Sequence, residues 1–113
     1  MHEMALAESV LGIVEKGARS AGLRSVTAVR LEIGSLAAVE PEALRFCFGA
    51  VVKGSVADGA RLDILELPAT AWCMRCCRSV QVASRAADCP ACGSSQLQVS
   101  GGDDLRVKEL EGF

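Results

Sequence analysis

The amino-acid sequence predicts an α+β fold: two helices and a three-stranded sheet, with a cysteine-bearing segment inserted before the last strand. Three patterns carry this. Apolar side chains recur at helical steps over residues 2–21, and they alternate at strand period over 26–33. Four of the six cysteines crowd into residues 73–92, after which a strand pattern returns at Leu105.

The first helix is expected to place Leu6, Val10, Ile13, Val14 and Ala21 on one face. Glu3 and Glu8 sit near its start, where the helix dipole favours negative charge. Gly22 suits the residue just past its end. In the first strand Val29, Leu31 and Ile33 face one way, and Arg30 and Glu32 the other. Gly34-Ser35 breaks it. Glu40-Pro41-Glu42 opens the second helix, with proline in the first turn. Leu44, Cys47, Phe48 and Val51 form its apolar face, with Val52 alongside, and Gly54 stops it. Asp58-Gly59 marks a turn. Residues 60–67 form the next strand, although Leu62-Ile64-Leu65-Leu67 alternates imperfectly, as a bulge or burial of both faces would explain. Pro68 ends it.

From Ala69 to about Ser100 apolar periodicity is weak, with Val80-Gln81-Val82 a candidate strand. Gly101-Gly102-Asp103-Asp104 reads as a linker, and Leu105–Leu110 as the closing strand. The expected organisation is therefore one α+β domain, residues 1–68 plus 103–113, with an inserted domain at 69–102.

Bulk composition narrows the function. A chain of 113 residues is one small domain, or one with a minor insertion. It has little room for a deep substrate cleft, which weighs mildly against an enzyme. A net charge of −2 offers no basic stripe for nucleic acid. No stretch reaches the roughly 18 apolar residues of a membrane helix, and the N-terminus lacks a signal-peptide pattern. A cytoplasmic protein is the default expectation, and in a reducing compartment close cysteine pairs read as metal ligands.

Cys73-Met74-Arg75-Cys76 and Cys89-Pro90-Ala91-Cys92 are two C-x2-C pairs, each able to aim two sulfurs at one point. Four thiolates at tetrahedral corners suit Zn(II), with an iron site or a redox disulfide as the alternatives. Four protein ligands leave no open position, so the zinc would be structural and would stabilise a core-poor segment. Arg75, Arg78 and Arg85 against Asp88 leave the segment at +2, which compensates a zinc–tetrathiolate centre. Cys77 competes with Cys76 on spacing; Cys76 matches the second pair. Cys47 reads as a buried free thiol.

The one histidine is His2. A lone histidine is ordinarily incidental. Here, however, the α-amine of Met1, the His2 amide and the imidazole can close fused chelate rings, with the backbone or side chain of Glu3 as a further donor. Planar nitrogen-rich coordination favours Ni(II) or Cu(II) over zinc. Glu40 could approach the same region, but reads first as a helix-start carboxylate.

Taken together, these features resemble the HypA/HybF family of hydrogenase nickel-incorporation proteins along the full length. The resemblance rests on Met1-His2-Glu3-Met4, on Val29-Arg30-Leu31-Glu32-Ile33-Gly34, and on Glu42-Ala43-Leu44-Arg45-Phe46-Cys47-Phe48. It continues through Gly59-Ala60-Arg61-Leu62, both cysteine pairs and the closing strand. It implies a nickel metallochaperone in which His2 is the essential nickel ligand and Cys73, Cys76, Cys89 and Cys92 hold zinc. It also implies a nickel-binding α+β domain with an inserted zinc ribbon. The implied partners are a maturation GTPase and the nickel-iron hydrogenase large subunit, with urease in some lineages; a homodimer is compatible. Cys77 stands outside the family pattern.

Two other readings use the same residues. A zinc-ribbon adaptor would keep the four cysteines and take up no nickel. A thiol-redox enzyme ordinarily uses one pair near a βαβ unit, not two converging pairs. No glycine-rich loop ending in Lys-Ser or Lys-Thr is present, so the chain is not expected to hydrolyse nucleotide.

Overall fold

A computed structural model describes residues 3–113. The element order is α1 (Glu3–Ala21), β1 (Val26–Gly34), α2 (Pro41–Val51), β2 (Arg61–Leu67), β3 (Ala69–Cys73), β4 (Arg78–Val82), β5 (Leu97–Ser100) and β6 (Leu105–Gly112). Two three-stranded sheets form, in the orders β2-β1-β6 and β4-β3-β5. This is the α+β class that the sequence patterns indicate. By internal contacts the chain divides into two compact units. One comprises residues up to Glu32, Val39–Leu65 and Arg106–Phe113; the other comprises Ile33–Ala38 and Glu66–Leu105.

The first unit buries one stripe of each helix. On α1 the stripe is Ala7, Val10, Val14 and Ala18. It is rotated from the expected face: Ile13 is 49% exposed and Ala21 lies at the surface. The small alanines let α1 come close to its neighbours. A Cβ added at Gly17 would sit 3.0 Å from Leu110 Cδ1 on β6. On α2 the buried residues are Leu44 and Phe48, followed by Val52 at the C-cap. Cys47 and Val51 flank that stripe half-buried. Gly22 closes α1 at φ 70°, a left-handed conformation that glycine takes without penalty.

Strand β1, which follows α1 in the chain, buries Val26, Ala28, Val29 and Leu31. On β2 Leu62 is buried while Leu65 is 51% exposed, so both faces of this strand are not buried. Glu32, on the face opposite Leu31 and Ile33, is only 8% exposed. Arg106 reaches it from the last strand, with Nη2 2.6 Å and Nε 2.7 Å from Glu32 Oε1, and Lys108 Nζ lies 3.8 Å from Oε2. A buried carboxylate needs such partners. Its neighbour Arg30 sits among Asp63, Glu109 and Glu111.

The second unit is built on β3. It pairs antiparallel with β4, Ala71 opposite Val80, and with β5, Ala71 opposite Val99. The core is small: Ala69, Ala71 and Val82, with Leu36, Val80, Ala87, Leu97 and Val99 packed on it. The segment 33–38 enters this unit through backbone bonds. Ser35 N–H donates to Leu67 O at 2.8 Å, and Leu36 N–H to Gly102 O at 2.7 Å. A Cβ on Gly34 would lie 2.1 Å from Gly102 O, so only glycine fits that crossing. Among the described residues, no helix is long and apolar enough to cross a membrane.

Candidate metal centre

Each cysteine pair spans a tight turn, the first between β3 and β4 and the second in the loop between β4 and β5. Cys73 ends β3, the chain turns through 74–77, and β4 starts at Arg78. The Cys77 N–H closes this turn onto Cys73 O at 2.8 Å, and the Cys76 N–H points at Cys73 Sγ at 3.3 Å. The second pair repeats the construction, with the Gly93 N–H donating to Cys89 O at 2.8 Å. A bond from Met74 N–H to Gln96 O at 3.0 Å ties the first loop to the chain entering β5.

The two turns bring Cys73, Cys76, Cys89 and Cys92 together, with all four sulfurs within 4.8 Å of one another. Cys73 Sγ lies 3.7 Å from Cys92 Sγ, and Cys76 Sγ lies 3.9 Å from Cys89 Sγ. A disulfide needs sulfurs about 2 Å apart, and all six cysteines are free thiols. A tetrahedral metal–thiolate centre with bonds of about 2.3 Å has edges of about 3.8 Å. The observed separations therefore fit a metal cage and not a pair of bridges.

Four sulfurs this close share charge unequally. Hydrogen bonding to Cys92 pushes the Cys76 thiol up to about 12, with burial and the other sulfurs adding to the effect. Burial also pushes Cys89 up, but the backbone N–H groups of Cys92 and Ala91 outweigh it and bring that thiol down to about 6. A divalent cation would relieve the crowding by neutralising the thiolates together.

Cys77 lies outside the cluster. Its side chain is exposed, its Sγ is 3.6 Å from Met74 O, and its φ of 55° is left-handed. It stands where the second turn has Gly93, with φ 76°. The structure groups Cys76, and not Cys77, with the other three sulfurs. Nothing in the residue pattern alone marked position 77 as the glycine-like site of its turn.

Of the N-terminal donors, Met1 and His2 lie outside the described residues. Glu3 opens α1, and its Oε2 accepts the N–H of Glu40 at 3.3 Å. Glu40 is the N-cap of α2, and its own Oε1 accepts from Glu42 N–H at 3.4 Å. The starts of both helices, each with a carboxylate, therefore meet at Glu3 and Glu40.

The family model described as hydrogenase/urease nickel incorporation, metallochaperone, HypA matches residues 1–112. Hydrogenase maturation factor HypA of Albidiferax ferrireducens is 58% identical over 111 residues, covering 98% of each chain. Hydrogenase maturation factor HypA 2 of Bradyrhizobium diazoefficiens is 55% identical over the same length and coverage. The solution structure of the Ni metallochaperone HypA from Helicobacter pylori superposes with a TM-score of 0.71 at 23% identity, covering 99% of this chain and 97% of that one. That last likeness supports the fold.

Proposed function

The chain belongs to the HypA family of hydrogenase/urease nickel-incorporation metallochaperones. From that premise we propose that it binds Ni(II) through the Met1 α-amine, His2 and Glu3, and assists its insertion into the nickel-iron hydrogenase large subunit. It is a carrier in this reading, not a catalyst. It works in the cytoplasm beside a maturation GTPase that supplies the nucleotide chemistry. The observation that carries the reading is the family match over residues 1–112, which takes in Met1-His2-Glu3.

The chemistry follows from the donors. An amine, an amide nitrogen and an imidazole form a compact chelate that suits Ni(II). Few and accessible donors let a partner's ligands replace them one at a time, so the ion moves without being released to water. Glu3 contributes from the first turn of α1, where one of its carboxylate oxygens accepts the Glu40 N–H.

Cys73, Cys76, Cys89 and Cys92 would hold Zn(II), which when bound supplies a closed, redox-inert cross-link between the two turns. On this reading residues 1–68 with 103–113 form the nickel-binding domain, and 69–102 the inserted zinc domain.

The test is nickel titration of untagged, zinc-loaded protein. Wild type should take up nickel stoichiometrically. His2→Ala should lose that uptake while keeping zinc content and circular dichroism unchanged. Unchanged nickel affinity in His2→Ala would remove the site assignment. No uptake by wild type would favour the zinc-ribbon adaptor.

A further inference from the structure

The outer face of the second sheet is exposed and carries no charge. On β3 the inward side chains are Ala69, Ala71 and Cys73, while Thr70 and Trp72 point out. The strand register sets Trp72 beside Ser79 on β4 and Gln98 on β5, and Thr70 beside Gln81 and Ser100. All of these outward residues are exposed, Trp72 to 43%. The nearest arginine in the register, Arg78, stands opposite Cys73 and so belongs to the inner face. None of the outward side chains hydrogen-bonds to another described residue. The face therefore offers a free indole N–H, the amides of Gln81 and Gln98, and the hydroxyls of Thr70, Ser79 and Ser100, all neutral donors.

A charge-free surface with unspent donors suits a neutral, extended ligand rich in acceptors. A phosphate backbone would need cations there, and a sheet face does not enclose a small molecule. A polyproline II segment meets both conditions: its backbone is solvated, its carbonyls accept, and proline has no N–H to leave unpaired. The spacing matches as well. Strands β4 and β5 flank β3 at about 4.8 Å on either side, which puts Ser79 and Gln98 about 9.6 Å apart. A polyproline II helix repeats every three residues at about 3.1 Å each, so carbonyls on one side of it recur at about 9.3 Å. One turn laid across the strands reaches both donors, with a proline ring over Trp72 between them. Aromatic surfaces recognise proline-rich segments in this way. The chain's own prolines, Pro41, Pro68 and Pro90, stand far apart in sequence, so the segment belongs to another protein.

We propose that the Trp72 face of the second sheet docks a proline-rich, polyproline II segment of a partner protein, laid across β4, β3 and β5. The inference goes beyond the nickel reading and does not depend on it. A single aromatic anchor with two flanking hydrogen bonds makes a weak, reversible contact.

Trp72 is the chain's one tryptophan, so its emission reports on this face directly. The probe is an oligoproline peptide titrated into the full, untagged, zinc-loaded protein. A glycine–serine peptide of equal length, an aspartate-rich peptide and oligothymidylate serve as comparisons. Oligoproline should shift the emission to shorter wavelength, with a dissociation constant on the order of 1 mM. Its binding should be the same at low and high salt, because no charged group takes part. Labelled oligoproline read by anisotropy extends the test to variants. Trp72→Ala should abolish binding with zinc content unchanged, and Ser79→Ala and Gln98→Ala should each weaken it about three- to tenfold. Ser79 and Gln98 are exposed and outside the core, so their effect does not come from unfolding. No saturable change up to about 10 mM oligoproline would overturn the proposal. So would an equal response to the glycine–serine peptide, a preference for the aspartate-rich peptide or oligothymidylate, a steep salt dependence, or binding indifferent to both Ser79→Ala and Gln98→Ala.

Discussion

In the first unit the largest fully buried side chains are Phe48, Leu31 and Leu44, with Val10, Val14, Val26, Val29 and Val52 around them; in the second unit the largest is the Cys73 thiol. Each buried Phe, Leu or Val contributes roughly 1.5–3 kcal/mol relative to exposure. The first unit therefore has a hydrocarbon core of the ordinary kind. The second has Ala69, Ala71 and Val82, whose burial yields little, and four sulfurs in a cage. Structural zinc in comparable small units contributes apparent binding energies of about 10–16 kcal/mol at neutral pH. A small three-stranded sheet can therefore dispense with large apolar residues if a metal closes its loops.

The largest expected effect breaks this comparison directly. Stripping the zinc-loaded protein with a chelator, or replacing Cys89 with serine, should unfold the second unit. Amide hydrogen exchange should show protection lost across β3, β4 and β5 while α1 and α2 keep theirs. Protection that persists in β3 after metal removal would mean that the small core suffices and that ligation is incidental.

The converse change acts on the first unit. Phe48→Ala removes its largest buried side chain and should cost about 3–5 kcal/mol in denaturant unfolding. Zinc content at the four cysteines should be unchanged. A cost below about 1 kcal/mol would mean that the site collapses around the cavity, and that this core is less tightly packed than the burial of Leu44 and Val52 indicates.

The same contrast explains what could be read from sequence. Helix α2 and β1 were legible because their buried residues are large and periodic, and α1 because its apolar residues recur at helical steps. β3 and β5 were not, although Ala69-Thr70-Ala71-Trp72-Cys73 and Leu97-Gln98-Val99-Ser100 do alternate. The inward residues of β3 are alanine and cysteine, too small to register as an apolar pattern, and β5 is only four residues long. Where a metal replaces hydrocarbon, hydrophobic periodicity fades, and cysteine spacing becomes the better guide. The face of α1 was misjudged for a related reason: Ala7 and Ala18 are buried in place of the larger Ile13 because close approach favours small residues there. The burial of Glu32 is not legible in the local pattern because its partners Arg106 and Lys108 are far along the chain.

The smallest effect separates the two cysteine turns from each other. Both close with an N–H to carbonyl bond of 2.8 Å, onto Cys73 O and Cys89 O, and both need a left-handed residue after the second cysteine. The second turn uses Gly93; the first uses Cys77, for which that conformation costs about 1–2 kcal/mol. Glycine loses more freedom on folding, which returns roughly 0.5–1 kcal/mol of that difference. Cys77→Gly should therefore stabilise the metal-loaded protein by about 0.5–1 kcal/mol. The exposed Cys77 thiol, 3.6 Å from Met74 O, offers only a weak contact against this gain. Thermal unfolding at fixed zinc, with metal content measured alongside, decides the point. A destabilised variant, or one that loses its metal, would show that the Cys77 thiol takes part in holding the ion and that the two turns are not equivalent.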